Sequence, residues 1–282
     1  MAQEMARILV GVDQSETSLW AVERAAWLQH AEEAVITLIH VIPRELQLSP
    51  LLEALADEEA PARLGEAEQR ARKAAASAHH AIHVTTAICN GLPFVEIIRR
   101  AREDRADLIL IGRQGMRSSP DGFVGATAER VVRKAGSPVL VVTTPPTMRY
   151  ARPLLAVDLS PTSRRAVSLA LRVVDPSVKI IDVVHAKSRG QTEHEARRAV
   201  LEFLATPGSS GVAWNVLIRD GDARRVILGE VAERHSDLLV LGTHGRTAIA
   251  QVLIGSVAEA VVRAAPCDLL VARPEKHTFA MP

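Results

Sequence analysis

Two glycine frames in this chain have the residue types and spacing that a phosphate group needs. The first is Gly112-Arg-Gln-Gly115, then nine residues, then Gly125-Ala126. The second is Gly242-Thr-His-Gly245, again nine residues, then Gly255-Ser256-Val257. Each frame follows a short aliphatic run headed by an aspartate, Asp107-Leu-Ile-Leu-Ile and Asp237-Leu-Leu-Val-Leu, and each precedes a segment with helical periodicity. Glycines let a backbone come close to an anion, and the free N–H groups and dipole at a helix start favour negative charge. The chemistry this suggests is the holding of phosphate oxygens. No nucleophile elbow, Ser-His-Asp spacing or G-x4-G-K-[ST] loop is present, so no catalytic residue is assigned.

Each candidate also has a plainer reading. Ser256-x-x-Glu259 has the spacing of a capping box, so Ser256 could start a helix as well as meet a phosphate. In the first frame Ala126 stands at that place, and Thr127 could replace the hydroxyl only if the helix started one residue later. Asp13 and Asp158 each close an aliphatic run and precede a helix, where an aspartate can equally serve a turn. His40 and His185 share a position at the end of the second run, which suits a packed, hydrogen-bonded imidazole better than a catalytic one. His79-His80-x-x-His83 has no counterpart in the other half and straddles a helix end and a strand start, which argues against zinc. Asp57-Glu-Glu59 reads as a solvated helix face.

The elements that must carry these residues repeat as well. Ile8-Leu-Val-Gly-Val-Asp13-Gln-Ser15 resembles Leu154-Leu-Ala-Val-Asp158-Leu-Ser160, and the aspartates lie 145 residues apart, as do His40 and His185. The glycine frames are offset by 130, so the first copy holds 15 more residues before its third strand. These fall in the Ala/Glu/Arg-rich stretch near Leu51–Ala81, which predicts one longer helix. Strands are expected near Arg7–Val12, Val35–Val41, His83–Ile88, Leu108–Ile111 and Val139–Val142, alternating with helices that start near Ser15, Leu51, Pro93 and Ala126. The second copy repeats them near Leu154–Val157, Lys179–Val184, Ala213–Ile218, Leu238–Leu241 and Leu269–Val271. Ser160 and Pro161 offer an N-cap and a first helical position. Near-continuous aliphatic strands joined by helices imply α/β domains with parallel sheets covered on both faces. A repeat of this length implies two whole domains, 1–146 and 147–282, joined by Thr143–Tyr150, which two prolines keep extended.

Apolar residues make up 48% of the chain and charged residues 24%, a globular balance. A formal charge of +1 gives no electrostatic case for nucleic acid or for a membrane surface. No apolar run approaches the ~20 residues of a membrane span, and the first residues lack a signal core. Two cysteines at unrelated repeat positions fit a reducing, cytoplasmic setting.

The strand–Asp-x-Ser–helix opening, the G-x2-G-x9-G-[S/T] loop and the closing aliphatic strand resemble the universal stress protein family, twice over. The second copy matches its ATP-binding branch at every glycine and at Ser256. The resemblance implies two tandem doubly wound, Rossmann-like sheets of order 3-2-1-4-5, with strands 1 and 4 adjacent at the switch point where such sheets bind ligands. It implies that their closing strands meet in an intramolecular pseudo-dimer, with further homodimerisation left open. In the second copy it places adenine at Asp158 and the backbone of Ala186, ribose and phosphates at Gly242, His244 and Gly245, and phosphate oxygens at Gly255, Ser256 and Val257. In the first copy the matching positions are Asp13, Val41, Gly112, Gly115 and Gly125, with Thr127 beside the missing hydroxyl and an intervening Ser118-Ser-Pro-Asp-Gly122 that could reshape the loop. The implied function is ATP binding, with or without Mg, in a stress-response or signalling protein that acts through an unidentified protein partner. Hydrolysis would be slow at most, because the loops lack a P-loop lysine. Two alternatives stand beside it: an interaction protein with vestigial pockets, and an adenylating enzyme. Asp13-Gln-Ser15 and Asp158-Leu-Ser160 argue against the latter, which would carry Ser-Gly-Gly-x-Asp-Ser after its first strand.

Overall fold

Aliphatic runs make the strands, and two aspartates fix where the first strand of each half begins. A computed structural model describes residues 5–13, 15–28, 30–43, 50–79, 81–115, 124–205, 211–243 and 254–274, without the side chains of 30–33 and 50–53. The chain divides into two compact units, one running to Met148 and the other starting at Arg149.

The first unit runs β1 (Met5–Val12), α1 (Glu16–Trp27), β2 (His30–Pro43), α2 (Pro50–Ser77), β3 (His83–Gly91), α3 (Pro93–Glu103), β4 (Leu108–Gly112), α4 (Ala126–Lys134) and β5 (Val139–Val142). Its strands pair in parallel in the order β3-β2-β1-β4-β5. The second unit runs β6 (Pro153–Ala156), α5 (Pro161–Val173), β7 (Ile180–Ala186), α6 (Glu193–Leu204), β8 (Ala213–Arg219), α7 (Ala223–Glu233), β9 (Leu238–Gly242), α8 (Ser256–Ala264) and β10 (Asp268–Ala272). Its order, β8-β7-β6-β9-β10, is the same when read from its own third strand. Each unit is therefore a 3-2-1-4-5 sheet, as expected. Leu9, Val10, Leu108, Ile109 and Leu110 are fully buried, which is why β1 and β4 need no alternation of polar and apolar residues.

Asp107 accepts the Ala6 and Arg7 N–H groups at 2.9 and 3.0 Å and so anchors the start of β1. Asp237 does the same for β6 through Ala151 and Arg152, at 2.8 and 3.0 Å. These are the aspartates that head the fourth strand of each half, so the start of strand 4 sets the start of strand 1.

The 15 surplus residues lie where expected. Helix α2 has 28 residues and its counterpart α6 has 12. Ala56 and Ala60 pack on Ile42, and Ala74 and Ala75 pack on Ala26, while Glu66–Arg70 and Glu68–Arg72 pairs line an outer face. Helix α5 starts as its residues dictate: Ser160 is the N-cap, accepting the Ser163 N–H at 3.2 Å, and Pro161 follows at the first helical position. The segment between the units ends in an anchor rather than in open chain. Tyr150 is buried, and its hydroxyl donates to Asp268 Oδ2 at 2.6 Å.

Candidate functional site

The site positions gather where the C-terminal ends of the first and fourth strands of each half lie side by side. Asp13 follows β1. Its Oδ1 accepts the Ser15 N–H at 2.8 Å and the Ser15 hydroxyl at 2.5 Å, and its own N–H donates to Ser18 Oγ at 3.2 Å. Asp158 follows β6 in the same turn, its Oδ1 accepting the Ser160 N–H at 3.0 Å and the Ser163 hydroxyl at 2.5 Å. Its N–H donates to Ser163 Oγ at 3.2 Å. Both aspartates thus hold the turn that starts the first helix, which is the plainer of the two readings offered by the sequence. In both, these bonds to the carboxylate run through Oδ1. Leu159, between Asp158 and Ser160, has φ of 66°, a left-handed conformation costly for a branched side chain.

The first glycine of each frame has a packing role beside the phosphate approach expected of it. A Cβ on Gly112 would lie 2.5 Å from the Thr17 carbonyl carbon and Oγ1 and 2.6 Å from the Ser18 nitrogen. On Gly242 it would lie 2.9 Å from the Ser163 nitrogen and the Thr162 carbonyl carbon. The first turn of α1 or α5 therefore sits directly against the end of strand 4, and glycine is required there by packing alone. Thr17 adds a hydroxyl bond to the Gln114 carbonyl, at 2.5 Å. The second glycine approaches the aspartate: a Cβ on Gly115 would lie 2.8 Å from Asp13 Oδ2. Its counterpart Gly245, with His244, lies outside the described residues, as does Ser118–Gly122.

The third glycine closes the loop. The Gly125 N–H donates to the Arg113 carbonyl and the Gly255 N–H to the Thr243 carbonyl, both at 2.7 Å. Each glycine is then the N-cap of the last helix, and neither helix receives a side-chain cap. Ser256 is consequently the first helical residue of α8 and not its cap, and the capping box is not formed. Ala126 holds the equivalent place in α4, so no shifted start brings Thr127 into the serine's position. Ser256 and Val257 are exposed, with Val257 at 37%. Four other helices, α1, α5, α6 and α7, have Ser15, Ser160, Thr192 and Asp222 on their first N–H groups. The starts of α3, α4 and α8 have no side-chain cap.

Val41 and Ala186 lie at the C-terminal ends of β2 and β7, one strand away from the aspartates. The histidines before them are buried. His40 Nδ1 lies 2.8 Å from the Val12 carbonyl and His185 Nδ1 2.7 Å from the Val157 carbonyl, so each imidazole donates to the residue preceding its aspartate. In the first half the other ring nitrogen, Nε2, lies 3.4 Å from Arg63 Nη1 and is the acceptor there. Burial, with Arg63 adding to it, holds His40 below its ordinary value of 6.5.

Two features of the site escaped the sequence reading. Asp-x-Ser continues as Asp-x-Ser-x-Thr-Ser in both halves, and the added Thr17-Ser18 and Thr162-Ser163 are the residues that meet the glycine and the aspartate. The repetition of that longer spacing was a readable signal. Arg273 is fully buried after β10, beside the backbone bond from Thr243 N–H to the Ala272 carbonyl, and burial draws its guanidinium down to about 10. The first half has Thr143 at this place, so no repeat marked it.

The model of the universal stress protein family matches residues 5–143 and again 149–273. The chain belongs to the universal stress protein family. A universal stress protein of Mycobacterium tuberculosis is 24% identical over 94% of this chain and 96% of its own length. One of Mycolicibacterium smegmatis is 29% identical over 95% of this chain and 97% of its own. Among solved structures, a universal stress protein of Archaeoglobus fulgidus superposes with a TM-score of 0.69 at 22% identity, covering 95% of this chain and 98% of that one. The tandem arrangement is thus one that relatives share along nearly their whole lengths. No described helix is long and apolar enough to cross a membrane.

Proposed function

We propose that this universal stress protein binds ATP at the switch point of its second half, and more weakly in its first, and that occupancy alters its contacts with a protein partner in a stress or signalling response. The observation that carries this reading is the start of α8. Gly255 caps the helix without a side chain, Ser256 has an exposed hydroxyl at its first position, and the Gly255 N–H ties that start to the Thr243 carbonyl just after β9, the strand that pairs with β6. Backbone N–H groups, helix dipole and hydroxyl there have one polarity, and it suits phosphate. Asp158 and the Ala186 backbone flank the strand ends where a base would lie, and His244 and Gly245 remain assigned to ribose and phosphate on the family resemblance. The first half has a matching turn at Asp13 and a matching helix cap at Gly125 but lacks the hydroxyl at Ala126, which supports weaker binding. ATP would bring Mg on its phosphates; the proposal gives the ion no protein ligand. Among the described residues no three His, Cys, Asp or Glu side chains converge on one point.

A second reading has its own observation. Gly112, Gly242, Asp13 and Asp158 are all accounted for by packing and turn bonds without a ligand, as a protein with vestigial pockets would require. Equilibrium dialysis of the full chain against labelled ATP separates the two. Binding in the micromolar range, about 8 kcal/mol, that weakens in Ser256→Ala and strengthens at a second site in Ala126→Ser supports the nucleotide reading. No binding by the unaltered chain supports the other.

A further inference from the structure

Strands β3 and β8 are the outermost strands of their units, and the two halves treat that edge differently. In β8 the Ala213 N–H donates to the Lys179 carbonyl at 2.7 Å, and the Arg219 carbonyl accepts the Lys187 N–H at 3.0 Å. Its odd-numbered residues therefore bond inward to β7, while Trp214, Val216 and Ile218 turn their backbone groups outward. Arginines cover two of those carbonyls. Val216 accepts from Arg197 Nη1 of α6 at 2.9 Å, and Ile218 from Arg219 Nη1 at 3.3 Å. Strand β3 pairs with β2 in the same repeat register, Val35 with His83 as Ile180 with Ala213, so its outward residues are Val84, Thr86 and Ile88. At the offset of 130, Arg219 becomes Cys89, and that cover is lost. Among the described residues no side chain is bonded to the Thr86 or Ile88 carbonyl. Ile88 is 45% exposed, against 6% for Ile218. The β3 sequence has no Lys, Arg, Asp, Glu or Pro, and its nine pairs with β2 run without a bulge, so the usual protections of an edge are missing.

We infer that β3 is a dimerisation edge, which pairs antiparallel with β3 of a second copy of this chain about a twofold axis through Thr86. A row of alternating N–H and carbonyl groups is complementary to another extended strand. A twofold interface requires the same residues to face one another in reverse order, and this strand does so about Thr86. Val84 then pairs with Ile88, Thr86 with Thr86, and Ile88 with Val84, so all three outward residues exchange hydrogen bonds. The exposed Ile88 side chain comes to lie against Val84 of the second copy, and the two Thr86 side chains meet at the axis; both are favourable cross-strand pairs. A shift of two residues either way breaks the Val84–Ile88 pairs. With no Lys, Arg, Asp or Glu on the strand, the copies meet without like-charge repulsion along the ladder. The other half's edge does not compete, because Arg197 and Arg219 already occupy its carbonyls.

The test is sedimentation equilibrium of the full chain up to about 1 mM, because a ladder of three pairs makes a small and weak interface. A monomer–dimer equilibrium is expected. Amide hydrogen exchange read residue by residue should then slow at Val84, Thr86 and Ile88 by at least about threefold at the highest concentration, with Thr85 and Ala87, already bonded to β2, unchanged. Thr86→Pro removes an outward N–H without touching the ladder to β2, and should abolish the dimer with the fold retained. Should that variant not fold, Thr86→Lys decides, since it sets two ammonium groups opposite each other at the axis and keeps the backbone intact. A chain that stays monomeric at every concentration would overturn the inference and leave the edge to a strand of some other protein. A dimer that survives Thr86→Lys, or amides that slow elsewhere and not on β3, would overturn it as well.

Discussion

The two halves of the chain agree at the end of strand 4 and disagree at the helices that follow. Where they agree, the reason is steric: Gly112 and Gly242 admit the first turn of α1 or α5, and Asp13 and Asp158 hold that turn with near-identical bonds. Where they disagree, the settings differ in kind: Ser256 and Ala126 are both exposed, whereas Phe94 is buried and Arg224, at the same repeat position, is exposed. The difference teaches that the repeated motif is chiefly a device for joining a strand to two helix starts. What distinguishes one site from the other is added around it.

The largest effect should come from breaking the shared part. Gly112→Ala puts a Cβ 2.5 Å from backbone, and Gly242→Ala puts one 2.9 Å away, so both should destabilise, by about 3 kcal/mol for the first and rather less for the second. Urea unfolding of the two variants checks this. Unaltered stability with lost nucleotide binding would return the first glycine to the phosphate.

Ser163→Ala should cost about 1–3 kcal/mol, because a buried hydroxyl that both receives the Asp158 N–H and donates to its carboxylate disappears. Ser18→Ala should cost less, since in the first half the carboxylate takes its hydroxyl bond from Ser15 instead. Comparing the unfolding midpoints of the two variants measures that asymmetry.

A pH dependence should come next, from His40 in the first half. Because His40 is held below 6.5 when folded, the unfolded chain binds more protons as acid is added. The stability tied to a neutral His40 is thus intact above about pH 6.5 and declines below it, by at most ~1.4 kcal/mol per pH unit. His40→Gln should flatten the difference between pH 7.5 and pH 5.5. A variant whose stability falls over that range as steeply as the unaltered chain's would remove His40 from the account.

Ser256→Ala should have the smallest effect on stability, within about 0.5 kcal/mol, because Gly255 and not Ser256 caps α8. Its ATP affinity should nonetheless fall by about 1–2 kcal/mol, the value of a hydrogen bond to a charged group. Thermal unfolding and dialysis of the same preparation read both.

Most of the fold was legible because aliphatic runs and glycines repeat at two offsets, which give the elements and the duplication, while the strand order came from the family resemblance. Edges were less so. Strand β2 extends from His30 through Pro43, well beyond its aliphatic core of Val35–Val41, because pairing with β1 and β3 continues where hydrophobic character has already ended. At the site, Asp13, Gly115 and Gly125 were found by pattern and are brought together. Ser256-x-x-Glu259 fits two helix registers one residue apart, and the bond from the Glu259 N–H to the Gly255 carbonyl belongs to the one in which the capping box does not form. The packing role of Gly112 and Gly242 needs a contact with Thr17 or Thr162, some 80–95 residues away in the chain, which no local pattern contains.

If the N-terminus of α8 holds the phosphates of an adenine nucleotide, Ser256→Pro should weaken binding without unfolding the helix. Gly255 has φ of −61° and ψ of 146°, the conformation a following proline needs, and α5 already begins with Pro161 after Ser160. The helix should therefore start unchanged while losing both the hydroxyl and the first N–H. Calorimetric titration with ATP should show a loss of tenfold or more in affinity at one site, with unfolding stability retained or raised. A variant that binds ATP as the unaltered chain does would contradict the claim and leave the start of α8 as a helix end and nothing more.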